Sequence, residues 1–213
     1  MARGLRMRVP GRPALCPSVT GAMVGRDREA ATVTERELLH AVDVRAPIAT
    51  VWAELIRRGG PQRAMLDSVL DSTLLPGDPL AYRSRDGRRV FAVGRVIEVV
   101  PPYRFAHTQQ LTGRDDPVTL VTWLLSDAPG GTRVTVRHTG WPSDTADLDR
   151  IDAIWGAVLP ALRRLVETGS VGPRTRLRQA ARRAIGWARP PGTAAEAVPP
   201  PDREAPLGPA DGL

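Results

Sequence analysis

The feature that most constrains this chain is a change of hydrophobic period part-way along it. Between about residues 79 and 139 apolar side chains alternate with polar ones in short runs separated by turn residues. Alternation at period two is the mark of strands with one buried face. Beyond that stretch, Leu148, Ile151, Ile154, Trp155, Val158, Leu159, Leu162, Leu165 and Val166 fall at spacings of three and four. That spacing predicts a helix of about five or six turns, closed at Gly169, where a glycine suits the left-handed cap. A run of neighbouring strands followed by one long helix predicts an α+β domain with an antiparallel sheet.

The strands can be placed one by one. His40, Val42 and Val44 alternate with Leu39, Ala41 and Asp43, and Pro47 then opens a short helix carrying Ile48, Val51, Trp52 and Leu55 on one stripe. Gly59, Gly60 and Pro61 end it. Leu80–Ser84 and Val90–Val100 flank an Asp86-Gly87 hairpin turn, and Gly94 marks a bulge or bend in the longer strand. Pro101-Pro102 turns the chain into a strand at 103–111, followed by strands at 118–125 and 132–139. Pro160 lacks the amide that the Gly156 carbonyl needs, which predicts a kink in the last helix.

Face sorting picks out a candidate site. Val134, Val136 and His138 share one face of the last strand, and Val121, Trp123 and Leu125 share one face of the strand before it. Tyr103, Phe105, His107 and Gln109 line up on the third strand. With Trp155 from the helix, the expected walls are Tyr103, Phe105, Trp123 and Trp155, and the polar points are His107 and His138. On residues alone these side chains are read either as packed core or as the lining of a ligand cavity.

Three segments carry a more specific likeness: Gly94-Arg-Val-Ile-Glu-Val-Val-Pro-Pro-Tyr-Arg-Phe-Ala-His-Thr108, Pro117-Val-Thr-Leu-Val-Thr-Trp123 and Gly131-Thr-Arg-Val-Thr-Val-Arg-His-Thr-Gly140. With the ending Leu159-Pro-Ala-Leu-Arg-Arg-Leu-Val-Glu-Thr-Gly169, the chain resembles the activator of heat-shock-protein-90 ATPase homologue-like branch of the START-like (SRPBCC) superfamily. The resemblance spans residues 37–169. It implies a helix-grip fold, a curved antiparallel sheet of about seven strands wrapped around the C-terminal helix with a cavity between them. The fold hosts lipid carriers, hormone receptors, polyketide cyclases and co-chaperones, so it implies no single activity. The family's Gly-Trp pair in the last helix is reversed here as Trp155-Gly156.

The expected organisation is a disordered N-terminal extension at 1–34, the domain at 35–169 and a tail at 170–213, basic at first, then Pro/Ala-rich and mostly disordered. Met1 and Met23 are both candidate starts. The net charge of +7 resides in the tails: residues 34–169 hold 17 Arg and 17 acids, whereas 1–33 carry +4 and 170–213 carry +3. All the basic residues are arginine. A neutral domain speaks against nucleic-acid binding. Arg174–Arg189 contains six Arg and no acid, either a solvated tail or a basic amphipathic helix for an anionic surface. Cys16 is the one cysteine, and no secretory apolar stretch or membrane-spanning run is visible, so the expected location is the cytoplasm.

Dedicated chemistry is sparse. Neither a Gly-rich phosphate loop nor a G-x-S-x-G elbow occurs, and His40, His107 and His138 lack metal-ligand spacing. Asp144, Asp147, Asp149 and Asp152 are read as caps for the long helix rather than a calcium site. No cofactor, metal or catalytic residue is therefore assigned. The expected function is binding of an apolar or polyketide-like molecule. The alternatives are a co-chaperone contacting a chaperone, and a cyclase/aromatase in which His107, His138 or Tyr103 moves protons.

Overall fold

A computed structural model describes residues 36–113, 117–142, 148–173, 175–177, 180 and 194–195. The N-terminal extension with Cys16, the carboxylates Asp144 and Asp147, and most of the Arg174–Arg189 segment lie outside the described residues.

The chain opens with strand β1 (Arg36–Val44) and helix α1 (Ile48–Leu55). Pro47 accepts the first helical hydrogen bonds, from Thr50 N–H at 2.9 Å and Val51 N–H at 3.2 Å, and Val51, Trp52 and Leu55 form the buried stripe. Then come β2 (Pro61–Gln62), β3 (Ser68–Ser72), β4 (Pro79–Arg83), β5 (Val90–Val100), β6 (Arg104–Leu111), β7 (Thr119–Ala128), β8 (Gly131–Trp141) and helix α2 (Leu148–Thr168). All the strands form one antiparallel sheet in the order β1-β8-β7-β6-β5-β4-β3-β2. Seven strands are thus an ordered meander, and the first strand of the chain closes beside the last.

The helix-grip expectation holds, with eight strands rather than about seven. The additional pairing comes from β2 and β3, whose Pro61, Ser68, Asp71 and Ser72 leave little hydrophobic alternation to detect. Strand β6 begins at Arg104, so Tyr103 belongs to the turn that follows the cis Pro101-Pro102 bond. Strand β8 runs on to Trp141, two residues beyond the alternating stretch.

Helix α2 packs against β1, β8 and α1. Its face of Leu148, Ile151, Trp155, Val158, Leu159, Leu162 and Leu165 is buried, as the three-and-four spacing requires. Pro160 and Gly156 sit on the exposed side, and the helix runs unbroken through both. Water can satisfy the Gly156 carbonyl there, which is why the proline is tolerated. The helix ends at Gly169, φ +70°, whose N–H donates to Leu165 O at 2.8 Å. Its C-terminal turn is tied to the body by Arg45 N–H donating to Glu167 Oε1 at 2.9 Å.

The outer face of the sheet explains how so many arginines coexist with a neutral domain. Arg133 pairs with Asp43, Arg137 with Glu37, Arg83 with Asp71 and Arg104 with Glu98, across neighbouring strands. Solvent screens these pairs, so they contribute solubility more than stability. On the same side of the β4–β5 hairpin, Ala81, Val90 and Val93 form a small second cluster covered by Ala195. Ala194 bridges to Arg89, and Ala195 N–H donates to Arg88 O at 3.1 Å. Part of the Pro/Ala-rich tail is therefore folded back onto the sheet.

Candidate functional site

The inner face of the sheet follows from register. Leu38, His138, Val121, His107 and Val96 form one cross-strand row, and His40, Val136, Trp123 and Phe105 form the next. Trp155 descends from α2 onto these rows. Phe105, His107, Trp123, His138 and Trp155 are all buried, and the structure brings them together. Trp123 and Trp155 meet edge to face with centroids 5.4 Å apart, and Phe105 and His107 lie 4.9 Å apart. Tyr103 is the exception. It precedes the strand whose parity would turn it inward, and it is 51% exposed.

Two further aromatics belong to the group. Tyr82, on β4, lies 5.9 Å from His107 and is buried. Trp141 lies 4.9 Å from His138. Simple alternation would send Trp141 outward. The pairing shifts between Leu38↔His138 and Arg36↔Trp141, and Gly140 at φ +85° supplies the extra residue that returns the indole to the inner face. A glycine inside a strand was the signal for it.

The two buried histidines are held in opposite ways. Trp155 Nε1–H donates to His138 Nδ1 at 3.0 Å, so that nitrogen carries the lone pair and Nε2 carries the proton. His138 Nε2–H donates to Thr119 Oγ1 at 2.8 Å, and Thr119 passes its own proton to Gln109 O at 2.8 Å. This chain joins α2, β8, β7 and β6 and leaves neither ring nitrogen unused. His107 instead faces the carbonyl of Thr108 with Nδ1 at 3.0 Å, so Nδ1 is the protonated nitrogen and Nε2 holds a lone pair. That Nε2 is buried with no partner. Burial pushes His107 down to about 4 and His138 down to about 3, the latter helped by repulsion from His107, so both rings are neutral at pH 7. Burial likewise raises the Tyr82 hydroxyl well above its ordinary range.

The indole N–H groups of Trp123 and Trp141 are also buried without partners. The aromatic interior therefore contains two unpaired donors and one unpaired acceptor. Among the described residues that are buried, none is Asp, Glu, Lys or Arg. His40 stands at the rim, its Nε2 2.9 Å from Asp152 Oδ1, linking β1 to α2. Of the three side chains that a cyclase could use to move protons, His107 keeps an unpaired Nε2, His138 has both ring nitrogens hydrogen-bonded and Tyr103 is exposed.

Among the described residues no cluster of three His, Cys, Asp or Glu is placed to hold a metal. A crevice of about 370 Å³ lies at the end of the sheet, between Asp43, Arg45, the β7–β8 turn, Arg163 and Glu167, away from the aromatic residues. No described helix is long and apolar enough to cross a membrane.

Comparison with known proteins agrees with this architecture. The family whose model matches is described as Activator of Hsp90 ATPase homolog 1-like protein, over residues 45–167. Among solved structures, CalU16 from Micromonospora echinospora is 19% identical, covering 72% of this chain and 87% of that one, with a TM-score of 0.51. The Aha1 dimer from Colwellia psychrerythraea is 16% identical, covering 63% and 98%, with a TM-score of 0.53. DynU16, from the dynemicin biosynthetic locus, is 23% identical, covering 63% of this chain and 48% of that one, with a TM-score of 0.54. At these identities the likeness shows the fold alone. No curated protein matches.

Proposed function

The chain belongs to the Activator of Hsp90 ATPase homolog 1-like family, and from that membership and the interior just described we propose that it binds a small apolar molecule between the sheet and α2. The observation that carries the reading is the trio of unpaired polar atoms among aromatic walls: His107 Nε2, Trp123 Nε1 and Trp141 Nε1. A packed core places such groups only where partners exist, because each unpaired one costs about 1–3 kcal/mol. Three of them amount to about 3–9 kcal/mol, comparable with the net stability of a whole domain. A bound molecule with complementary groups offsets that cost, and the rings around it supply the apolar contact.

The test is native mass spectrometry of the full-length protein, with organic extraction of whatever co-purifies and thermal shifts against a library of apolar compounds. A stoichiometric adduct, or a saturable shift with one chemical series, is the expected result. A protein that runs at its bare mass and responds to nothing in the library defeats the proposal.

A second reading, contact with a chaperone, has one structural observation in its favour. The β5–β6 turn exposes Val100 and Tyr103 on either side of Pro101-Pro102, an apolar tip of the kind that protein partners cover. Stimulation of a chaperone ATPase that is lost on replacing Val100 and Tyr103 with Ser would favour it.

A further inference from the structure

The pattern of unpaired atoms says more than that something apolar binds. His107 is pinned by its Nδ1–H to the strand, so the distal nitrogen presents a lone pair and accepts a hydrogen bond; it has no proton to give. Trp123 and Trp141 can only donate. Burial of both histidines in their neutral forms removes any cation that would hold an anionic head group, and no Arg or Lys is among the buried described residues. A carboxylate or phosphate brought into this interior would lose its hydration with no opposite charge in return, which costs several kcal/mol.

Resting on the small-molecule reading above, we infer that the interior selects a neutral ring compound bearing both a hydroxyl group and a carbonyl oxygen. The hydroxyl donates to His107 Nε2, and the carbonyl accepts from the indole N–H of Trp123 or Trp141. Fatty acids and phospholipids are thereby disfavoured, since each brings a charge this interior does not neutralise. Water is a poor substitute. A buried water needs two to four polar partners, while Trp123 is set among Phe105, Trp155 and aliphatic side chains, which offer it none. Flat unsaturated rings suit the aromatic part of the walls, where Trp123, Trp155, Phe105 and Tyr82 present faces and edges beside Val96, Val121 and Val136.

The test uses the full-length protein after organic extraction and a matched set of probes: naphthalene, 2-naphthol, 2-acetylnaphthalene, 6-hydroxy-2-acetylnaphthalene and 2-naphthoate. Affinities are read by quenching of tryptophan fluorescence and by calorimetry. Each neutral polar group should tighten binding about tenfold over naphthalene, with the hydroxy-ketone tightest. The naphthoate should bind at least about tenfold more weakly than naphthol. His107→Leu should erase the advantage of 2-naphthol and leave that of the ketone. Trp123→Phe or Trp141→Phe should do the reverse. The wild-type ranking decides the matter even where a variant fails to fold. Equal affinity for all four neutral probes overturns the inference and leaves the binding reading standing, as does tightest binding of the naphthoate. No binding by any probe overturns both.

Discussion

The two buried histidines give the sharpest test of the energetics, because the same substitution should cost clearly more at one site than at the other. Leucine and histidine are close in volume, so neither His107→Leu nor His138→Leu opens much of a cavity. At His138 the change strands the Trp155 indole N–H, which loses its acceptor in a buried place. It also removes ring contacts with Trp141 and Trp155. An orphaned buried donor costs about 1–3 kcal/mol, and each aromatic edge contact about 0.5–1.5 kcal/mol. The expected loss is about 2–6 kcal/mol. At His107 the change removes one hydrogen bond, to Thr108 O, and ring contacts with Tyr82 and Phe105, but also removes an acceptor that has no partner. Loss and gain partly cancel, and His107→Leu should lie between about 3.5 kcal/mol less stable and about 1.5 kcal/mol more stable. Urea unfolding of extracted, ligand-free protein at pH 7.5, followed by tryptophan fluorescence, separates the cases. With a slope of about 1–3 kcal/mol per molar, the His138 variant should lose roughly a molar or more in midpoint and the His107 variant clearly less. Adding Trp155→Phe to His138→Leu should recover part of the loss, since the stranded donor goes with it. Equal losses at the two histidines would refute the reasoning.

Three further outcomes follow from the same structure. Both histidines have folded-state pKa values below the usual 6.5, at about 4 and about 3, so the unfolded chain binds more protons as the pH drops. Stability should be flat above pH 6.5 and fall below it, by up to about 1.4 kcal/mol per pH unit for each histidine; a constant urea midpoint from pH 7 to 5 would contradict this. A methyl group at Gly94 would overlap the Thr108 carbonyl oxygen of the neighbouring strand, so Gly94→Ala should cost about 3 kcal/mol or fail to fold, measured by urea midpoint and soluble yield. Truncation after Pro190 removes Ala194 and Ala195 and uncovers Ala81, Val90 and Val93. It should raise binding of an apolar dye and cost about 1–2 kcal/mol, whereas unchanged dye fluorescence would mean the tail leaves that face bare in solution.

The parts of this architecture that could be read from the sequence are those where one periodicity runs uninterrupted. Val134, Val136 and His138 in β8 and the Leu148–Leu165 stripe of α2 have no competing signal, and their burial follows the pattern. Parity misleads where the chain leaves the ladder. Tyr103 keeps step with Phe105 and His107 in number, yet it precedes the strand and turns outward. Trp141 breaks step in number, yet the irregularity at Gly140 turns it inward. Strands β2 and β3 carry no legible alternation, because their places are set by pairing, β3 against β4 and β2 against β3, rather than by their own composition. Least legible was which histidine is satisfied. That depends on Thr119 and Trp155, which lie 19 and 17 residues from His138 in sequence and reach it from other elements.

His107 and His138 occupy the same cross-strand row with only Val121 between them, so local sequence does not set them apart. Helix α2 does. It delivers Trp155 to one histidine and nothing polar to the other, closing half of the row into a structural network and leaving the other half chemically incomplete. The incompleteness has a direction: an acceptor on β6, donors on β7 and β8, and no Asp, Glu, Lys or Arg among the buried described residues. Stability alone gives no reason to keep that unpaired acceptor, which is where a ligand hydroxyl would donate in the proposed binding. That unpaired nitrogen is the physical reason to regard His107, and not the better-bonded His138, as the polar centre of the proposed site.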